Sequence, residues 1–527
     1  MRLTPFLTCA GLLAGVLVAL SGNPAHAAPV RYEAETSPAV CVGTIDSNWA
    51  GYSGTGFCNA DNATGAYAQF TVNSSTAGTA TLGLRFANGT TTARTAGLIV
   101  NGATVATPSF EGTGAWSAWV TKTMTVSLNA GANTIRLNPA TAAGLPNLDH
   151  LDVETGDQPP PANTLYVATD GDDGNPGTQA SPLRTIQRAV DLAQPGHTIV
   201  IRGGTYAPST NIQLVKSGTA SRPITMTAHE GERVIIDGEN MPYTPGAVGS
   251  TIPRPERGAI HIEGEHWRLV GLEIVNGPYG IFGLDTSDNV FDLLTVRDNY
   301  ESGLHLQGAS SNNQIIDLDA YGNRDPRKNG ESADGVAIKE GSGSGNVIRG
   351  ARLWHNSDDG LDFWMFLSPV TVESSVAWGN GFNRWNLPGY TGDGNGFKLG
   401  GGDPDPPADH VIRNSIAFDN AVGGFIDNGN PGRLAADRNT AWRNGGTGFD
   451  FADSDSTLTK NLSVANQTQV SLGSSSSGSG NSWDLGGSWT FTSTDASVIK
   501  GPRAADGSIP SSAFLLPANG ADVGARI

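Results

Sequence analysis

Three segments carry acids and amines in one pattern: ESADGVAIK (331–339), SDDGLDFW (357–364) and TGDGNGFK (391–398). Aligned on Gly335, Gly360 and Gly394, they put Asp334, Asp359 and Asp393 in one column. Four residues beyond those glycines stand Lys339, Trp364 and Lys398. As successive rungs of a stacked parallel β-structure, equivalent positions would lie only about 4.8 Å apart. Carboxylates at that spacing, with Asp358 and Asp362 beside them, repel one another unless a cation gathers them. Oxygen-rich sites without His or Cys favour hard cations, and Ca2+ accepts roughly six to eight flexible oxygen ligands. Asp334, Asp358, Asp359 and Asp362 are therefore the expected ligands of one Ca2+. A single Asp-Gly pair is ordinary turn chemistry; several stacked in one column point to a metal.

The amine completes the pattern. Beyond the leader the chain has lysine only at 122, 216, 328, 339, 398, 460 and 500, and two of these fall beside the acids. A lysine that takes a proton must be neutral, so its pKa must fall from about 10.4. Neighbouring carboxylates raise it, whereas a bound cation and desolvation lower it. Lys398, in the open Gly-rich stretch GNGFKLGG, is the candidate base. Lys339 reads better as an ion pair with the acids, an alternative open to Lys398 too. The reaction that fits is β-elimination from a uronan. A cation drawing charge from the sugar carboxylate acidifies the C5 hydrogen, a base removes it, and the C4–O bond breaks to leave an unsaturated end. Two rivals stand beside this reading. One is a polygalacturonase hydrolysing with paired acids from SDD; the other is a non-catalytic β-helix that binds polysaccharide.

Such a site needs a scaffold that stacks. Short aliphatic runs end in Asn at 276, 299, 323, 356, 380, 420, 444 and 466. The commonest spacing is 22 to 24 residues, and the longer gaps 323–356 and 380–420 flank the Asp-rich segments. That period, with three short strands per turn, predicts a right-handed parallel β-helix whose Asn side chains form a ladder. One helical stretch, LRTIQRAVDLAQPG (183–196), has Ile186, Ala189, Val190 and Leu192 on one face and should cap the N-terminal end. Alternating strands such as AYAQFTV and TIRLNP before residue 154 suit a β-sandwich. The chain thus reads as a leader (1–27), a sandwich module (28–154), a Pro-rich linker (155–163) and a β-helix domain (164–527), all-β throughout.

The 527 residues begin with Arg2, the apolar run LLAGVLVAL and Ala25-His26-Ala27, the pattern of a cleaved secretory signal. The apolar run is short of the roughly 20 residues that span a bilayer, so the mature chain is expected to be exported and free of membrane. Cys9 leaves with the leader, and Cys41 and Cys58 remain as an even pair in an oxidising compartment, so a disulfide is expected. A formal net charge of −18 argues against nucleic acid. It would also repel a polyanionic sugar, which bound divalent cations would resolve.

At these residues the chain resembles the polysaccharide lyase family 9 pectate lyases, over most of 164–527, with NSDDGLDFW and GDGNGFKLGG as the specific motifs. The resemblance implies Lys398 as base and Asp334, Asp358, Asp359 and Asp362 as calcium ligands, with Asp393 only a neighbour. Arg384, Arg413 and Trp364 are candidate substrate contacts. Residues 30–154 resemble a family 35 carbohydrate-binding module through RYEAET, GYSGTGF, GAWSAW, LNAGANTIRL and LPNLDHLDVE. That implies Glu33, Glu35 and Asp149 around a structural Ca2+. Trp116 and Asn147 are candidates to meet a plant cell-wall sugar, although Trp116 reads equally as core. The combined expectation is a secreted, monomeric, Ca2+-dependent lyase acting on pectic polysaccharide.

Overall fold

The computed structural model describes residues 30–74, 78–129, 131–155 and 163–527. The expected leader and all but the end residues of the expected linker lie outside those residues. The chain divides into two compact units, one up to Pro161 and one from Ala162.

The larger unit is a parallel β-helix with three stacks of strands, twelve in the first and ten in each of the others. The first stack starts at Thr164–Val167 and ends at Ser477–Ser479, the second runs from Gly204–Tyr206 to Leu462–Val464, and the third from Ile212–Leu214 to Thr468–Leu472. The strands are short, two to six residues each, and every rung turns between them. In the first stack Leu269, Phe291, Ile315, Ile348, Val372, Ile412, Ala436 and Leu458 pair in register, and all are buried. Each large aliphatic or aromatic side chain so buried contributes roughly 1.5–3 kcal/mol.

The turn after the second stack carries the Asn ladder. The side-chain amide of each Asn donates to the next side-chain oxygen at 2.8–3.0 Å, from Asn299 through Asn323, Asn356, Asn380, Asn420 and Asn444 to Asn466. The same oxygens accept backbone N–H groups, which would otherwise stay unpaired in a buried turn. Asn276 is the exception and a correction. The ladder position on its rung is Gly277, whose N–H donates to Asn299. Asn276 fills the preceding position, where φ is 54°, as it is +54° to +66° at Asp298, Gly322, His355, Gly379, Asp419, Arg443 and Ala465. Asn tolerates that left-handed backbone better than most residues. Two further Asn runs, 289–313–346 and 439–461–481, line other turns and lacked a distinctive sequence signal.

The helix forms over Ile186–Leu192 with Thr185 as its N-cap, shorter than 183–196. Ile186, Ala189 and Val190 join the core at the N-terminal end with Val167, Leu183 and Ile199. On the outside of the second stack, Trp354, Trp378, Phe418 and Trp442 pair rung on rung. Ile499, Phe514 and Leu515 from the C-terminal segment cover them.

The smaller unit is a sandwich of two antiparallel six-stranded sheets. Its core includes Phe70, Leu82, Leu84, Leu98, Ile135, Leu137 and Leu151. The expected Cys41–Cys58 disulfide is formed and joins a strand of one sheet to a strand of the other.

If the ladder is a structural spine, Asn356→Ala should cost roughly 1–3 kcal/mol, because it strands buried donors on the neighbouring rungs. Asn276→Ala should cost less. Denaturant melts of the two variants, compared at equal slope, check this.

Candidate active site

The acids and amines converge on the third stack. Ala337 pairs with Asp362, and Asp362 with Lys398, on the strands Val336–Gly341, Leu361–Asp362 and Phe397–Lys398. The backbone turn before these strands stacks Asp334, Asp359 and Asn395: Gly335 N donates to Asp359 O at 3.1 Å and Gly360 N to Asn395 O at 2.9 Å. Gly335 and Gly360 therefore align as the sequence indicates, but the third rung is displaced by two residues. Gly396, not Gly394, is the partner of Gly360. The segment between Asn380 and Asn395 bulges outward, and Gly394 (φ +84°) is spent on a close approach to Gly381. Asn395 thus continues the acid column, and Asp393 stands outside it. The shift also brings Lys398 level with Asp362 rather than with Trp364.

Asp334, Asp358, Asp359 and Asp362 are all buried. Asp334, Asp358 and Asp359 each present an oxygen within 4.8 Å of the others. Backbone and side-chain amides orient them: Asp359 Oδ1 accepts from Asn395 N (2.6 Å) and Nδ2 (2.9 Å), and Asp358 Oδ1 from Asp393 N (2.7 Å). Asp359 Oδ2 has no hydrogen-bond partner. Asp362 stands apart from the trio and bridges the lysines, with Oδ2 2.6 Å from Lys339 Nζ and 3.4 Å from Lys398 Nζ. Lys339 also reaches Asp334 Oδ2 at 2.9 Å. Lys398 reaches Asp393 Oδ2 at 2.6 Å and Asp359 Oδ2 at 3.3 Å.

The electrostatics follow from this layout. Burial, then mutual repulsion, pushes Asp358 well above the usual carboxylate range. Burial also raises Asp334, and lifts Asp359 to about 7 against the pull of Lys398. Asp362 is lowered: burial acts to raise it, but two lysines outweigh burial. Both lysines are raised, because the surrounding carboxylates outweigh the desolvation that would lower them. Three buried, all-oxygen acids that repel one another, one with an oxygen that accepts no hydrogen bond, fit a hard divalent cation. Lys339, wedged between Asp334 and Asp362, is the structural ion pair.

These groups form one end of a groove of about 520 Å³, lined by Lys398, Asp358, Asp362 and Trp364, and further along by Arg257, Tyr279, His305 and Lys328. Trp364 is therefore at the site. Arg413 is a correction: it ends a strand of the first stack and pairs with Glu373, on a different face. Adjacent sequence numbers concealed that change of face. Arg384 lies in the bulging segment with its guanidinium 5.2 Å above the Phe382 ring, and it does not line the groove. Arg257, Tyr279 and His305 escaped the sequence reading because they belong to rungs without an acidic motif. The strand-to-strand register of His305 with Ala337 is the signal that finds it.

In the smaller unit, Glu33, Asp149 and His150 each present a ligand atom within 4.8 Å of the others. Ser53 ties them together, its Oγ 2.8 Å from Glu33 Oε2 and 2.7 Å from His150 Nδ1. Asp149 is also paired with Arg85. Glu35 Oε1 accepts from Thr55 N at 2.8 Å, and its Oε2 is buried without a hydrogen-bond partner. Gly54 makes room for Glu35: a Cβ there would overlap Glu35 Oε1. Trp116 is half-buried against Gly89 with Arg94 5.3 Å from its ring, and Asn147 is buried at the start of a strand.

A cation that relieves the carboxylate repulsion should stabilise the fold. A ligand at a hundredfold its Kd adds about 2.7 kcal/mol, so Ca2+ is expected to raise the melting temperature by several degrees. Asp359→Asn should remove most of that rise while leaving the chelated protein at least as stable as the wild type. Melting curves with calcium and with chelator check both.

Comparison with known proteins places this geometry. The Pel9A-like, right handed beta helix region matches residues 165–468, and the family 35 carbohydrate-binding module matches residues 30–156. Pectate lyase PEL9 of Emericella nidulans is 51% identical over 387 residues, spanning 69% of this chain and 94% of the relative. Among solved structures, that of pectate lyase Pel9A superposes with a TM-score of 0.60 at 31% identity, covering 67% of this chain and 89% of the other. A rhamnogalacturonan lyase also superposes with a TM-score of 0.60, at 26% identity, covering 69% and 99%. With its right-handed β-helix and its acid-and-lysine groove, the chain belongs to the Pel9A-like polysaccharide lyases of family 9, and it carries a family 35 carbohydrate-binding module ahead of the β-helix.

Proposed function

We infer that this protein is a secreted, Ca2+-dependent pectate lyase that cleaves de-esterified homogalacturonan by β-elimination, with Lys398 as the base. The observation that carries the reading is the placement of Lys398. Its amine lies at the floor of the groove, 3.3–3.4 Å from Asp359 and Asp362 and beside the carboxylate trio. Membership of a lyase family sets aside hydrolysis by paired acids and the non-catalytic alternative.

Asp334, Asp358 and Asp359 would hold the cation, with Asp362 as a fourth ligand electrostatically linked to Asp334 and Asp359. When bound, Ca2+ neutralises these acids and draws charge from the substrate carboxylate, which acidifies the C5 hydrogen. The chain's own residues do the rest. Lys398 takes the C5 proton through its neutral amine. The electron pair of the broken C–H bond forms the C4–C5 double bond, and the C4–O bond breaks. The departing oxygen takes up a proton, leaving an unsaturated non-reducing end. Burial of the floor excludes water, which the elimination does not consume. Lys339 keeps Asp334 and Asp362 oriented without reaching the proton.

Three further parts belong to the proposal. The sandwich module anchors the enzyme on plant cell-wall polysaccharide. The protein acts as a monomer outside the cell, for which the Cys41–Cys58 bond is supporting chemistry. Homogalacturonan is favoured over rhamnogalacturonan because the 51% identical relative is a pectate lyase, whereas the rhamnogalacturonan lyase is 26% identical. Both polymers belong in the assay.

Lys398→Ala should lower turnover of polygalacturonate by about 100-fold or more in protein that still folds, read by ultraviolet absorbance of the unsaturated product. A retained rate would move the base to Lys339. The pH profile has a definite sign. A lysine amine is protonated below its ordinary pKa of about 10.4, so the active neutral form grows as pH rises, and kcat/KM should climb about tenfold per unit on the acid limb. A profile falling from neutral to alkaline pH would contradict the assignment. Excess chelator should abolish turnover.

A further inference from the structure

The groove continues well past the lysine. In the third stack the register runs Lys398, Asp362, Ala337, His305, Phe282, His261 from rung to rung. With rungs about 4.8 Å apart, His305 lies three steps, about 14 Å, from Lys398. Of the two residues between them in that column, Ala337 is small and Asp362 is held aside by Lys339.

His305 is buried, 8% exposed, and neither ring nitrogen has a hydrogen-bond partner. Its column mate His261 is fully engaged, with Nδ1 3.0 Å from Arg257 O and Nε2 3.0 Å from Glu263 Oε1. Packing fixes the His305 ring, 5.1 Å from Phe282 and edge-on to Tyr279 at 5.4 Å. Burial, with Lys339 and Arg257 nearby, holds the ring neutral. A neutral imidazole offers one donor and one acceptor, the complement of a sugar hydroxyl. Leaving a buried group unmatched is costly, so the unmet pair is itself a sign of a ligand.

Cations flank the ring. Arg257 is set 5.3 Å over the Phe282 ring, with Nε to Ile252 O (3.2 Å) and one terminal nitrogen to Gln307 Oε1 (3.1 Å). Among the described residues no ion pair is formed by Arg257, so its remaining fork is open to a planar carboxylate. Lys328 Nζ bonds Ser332 Oγ at 3.1 Å, and the Glu301 carboxylate is 3.9 Å away. Of the acids along this stretch, Glu301 is paired with Arg327 through one oxygen, Glu340 accepts from Gln307, and Glu331 also lines the groove near Lys328.

We propose that Arg257, His305 and Lys328, with Tyr279 as a wall, form a distal uronate subsite that grips the substrate chain three rungs from the bond being cleaved. Arg257 and Lys328 take the sugar carboxylate and His305 a ring hydroxyl. The proposal rests on the uronan-lyase reading and adds that the enzyme recognises chains long enough to span from Lys398 to His305.

The test compares wild type, His305→Ala, His305→Gln and Arg257→Ala on polygalacturonate and on trigalacturonate, with melting temperatures as the check on folding. His305→Ala and Arg257→Ala should each raise KM for the polymer about tenfold with kcat within about twofold, the mark of lost binding rather than lost chemistry. His305→Gln, which keeps a donor and an acceptor, should recover part of the loss. Trigalacturonate, too short to span both sites, should show unchanged kcat/KM. Unchanged KM for the polymer in either folded alanine variant, or equal losses on polymer and trimer, overturns the subsite while the lyase reading stands. A wild type without turnover on polygalacturonate overturns the lyase reading and the subsite with it.

Discussion

Repulsion between carboxylates held one rung apart is the constraint around which the site is organised. Two unit charges at 4.8 Å repel by about 3 kcal/mol at an effective dielectric of 20, and Asp334, Asp358 and Asp359 bring three such oxygens together in a buried place. Backbone amides and two lysines offset part of that energy. A bound cation would offset it more completely and release Lys398 from its role as counter-ion. On the proposed reading, the same residues would set both the affinity for a cation and the protonation of the base.

The fold makes the crowding possible. A parallel β-helix returns to the same lateral position every rung, so a residue type at one turn position is brought beside its equivalents without long-range design. The Asn ladder holds the rungs in register from Asn299 to Asn466. With register fixed, extra residues can leave between rungs without disturbing the stack. The segment between Asn380 and Asn395 does this, and it delivers Asp393 to Lys398 from outside the column.

Much of this was legible in the chain itself, because repetition is a strong signal. The Asn period gave the architecture, and the first two Gly-anchored segments gave the correct pairing of Asp334 with Asp359. The third failed for a physical reason: Gly394 has the right neighbours in sequence but serves the bulge, and the strand resumes at Gly396. Asn276 was miscounted for a similar reason, since left-handed turn and ladder positions are adjacent and both accept Asn. Arg413 could not be placed without knowing which strand faced which side. His305 and Arg257 were invisible, because single residues on separate rungs make no motif and only the register brings them into one groove.

Where a cation sits decides whether these acids and Lys398 work together in this way. Anomalous diffraction from crystals of the calcium-loaded protein measures that directly. It should show one strong peak in the β-helix, bounded by Asp334, Asp358 and Asp359 with Asp362 adjacent, and Lys398 Nζ free on the groove side. A peak elsewhere in the groove, or Lys398 still locked between Asp359 and Asp362 with no ion bound, would contradict it.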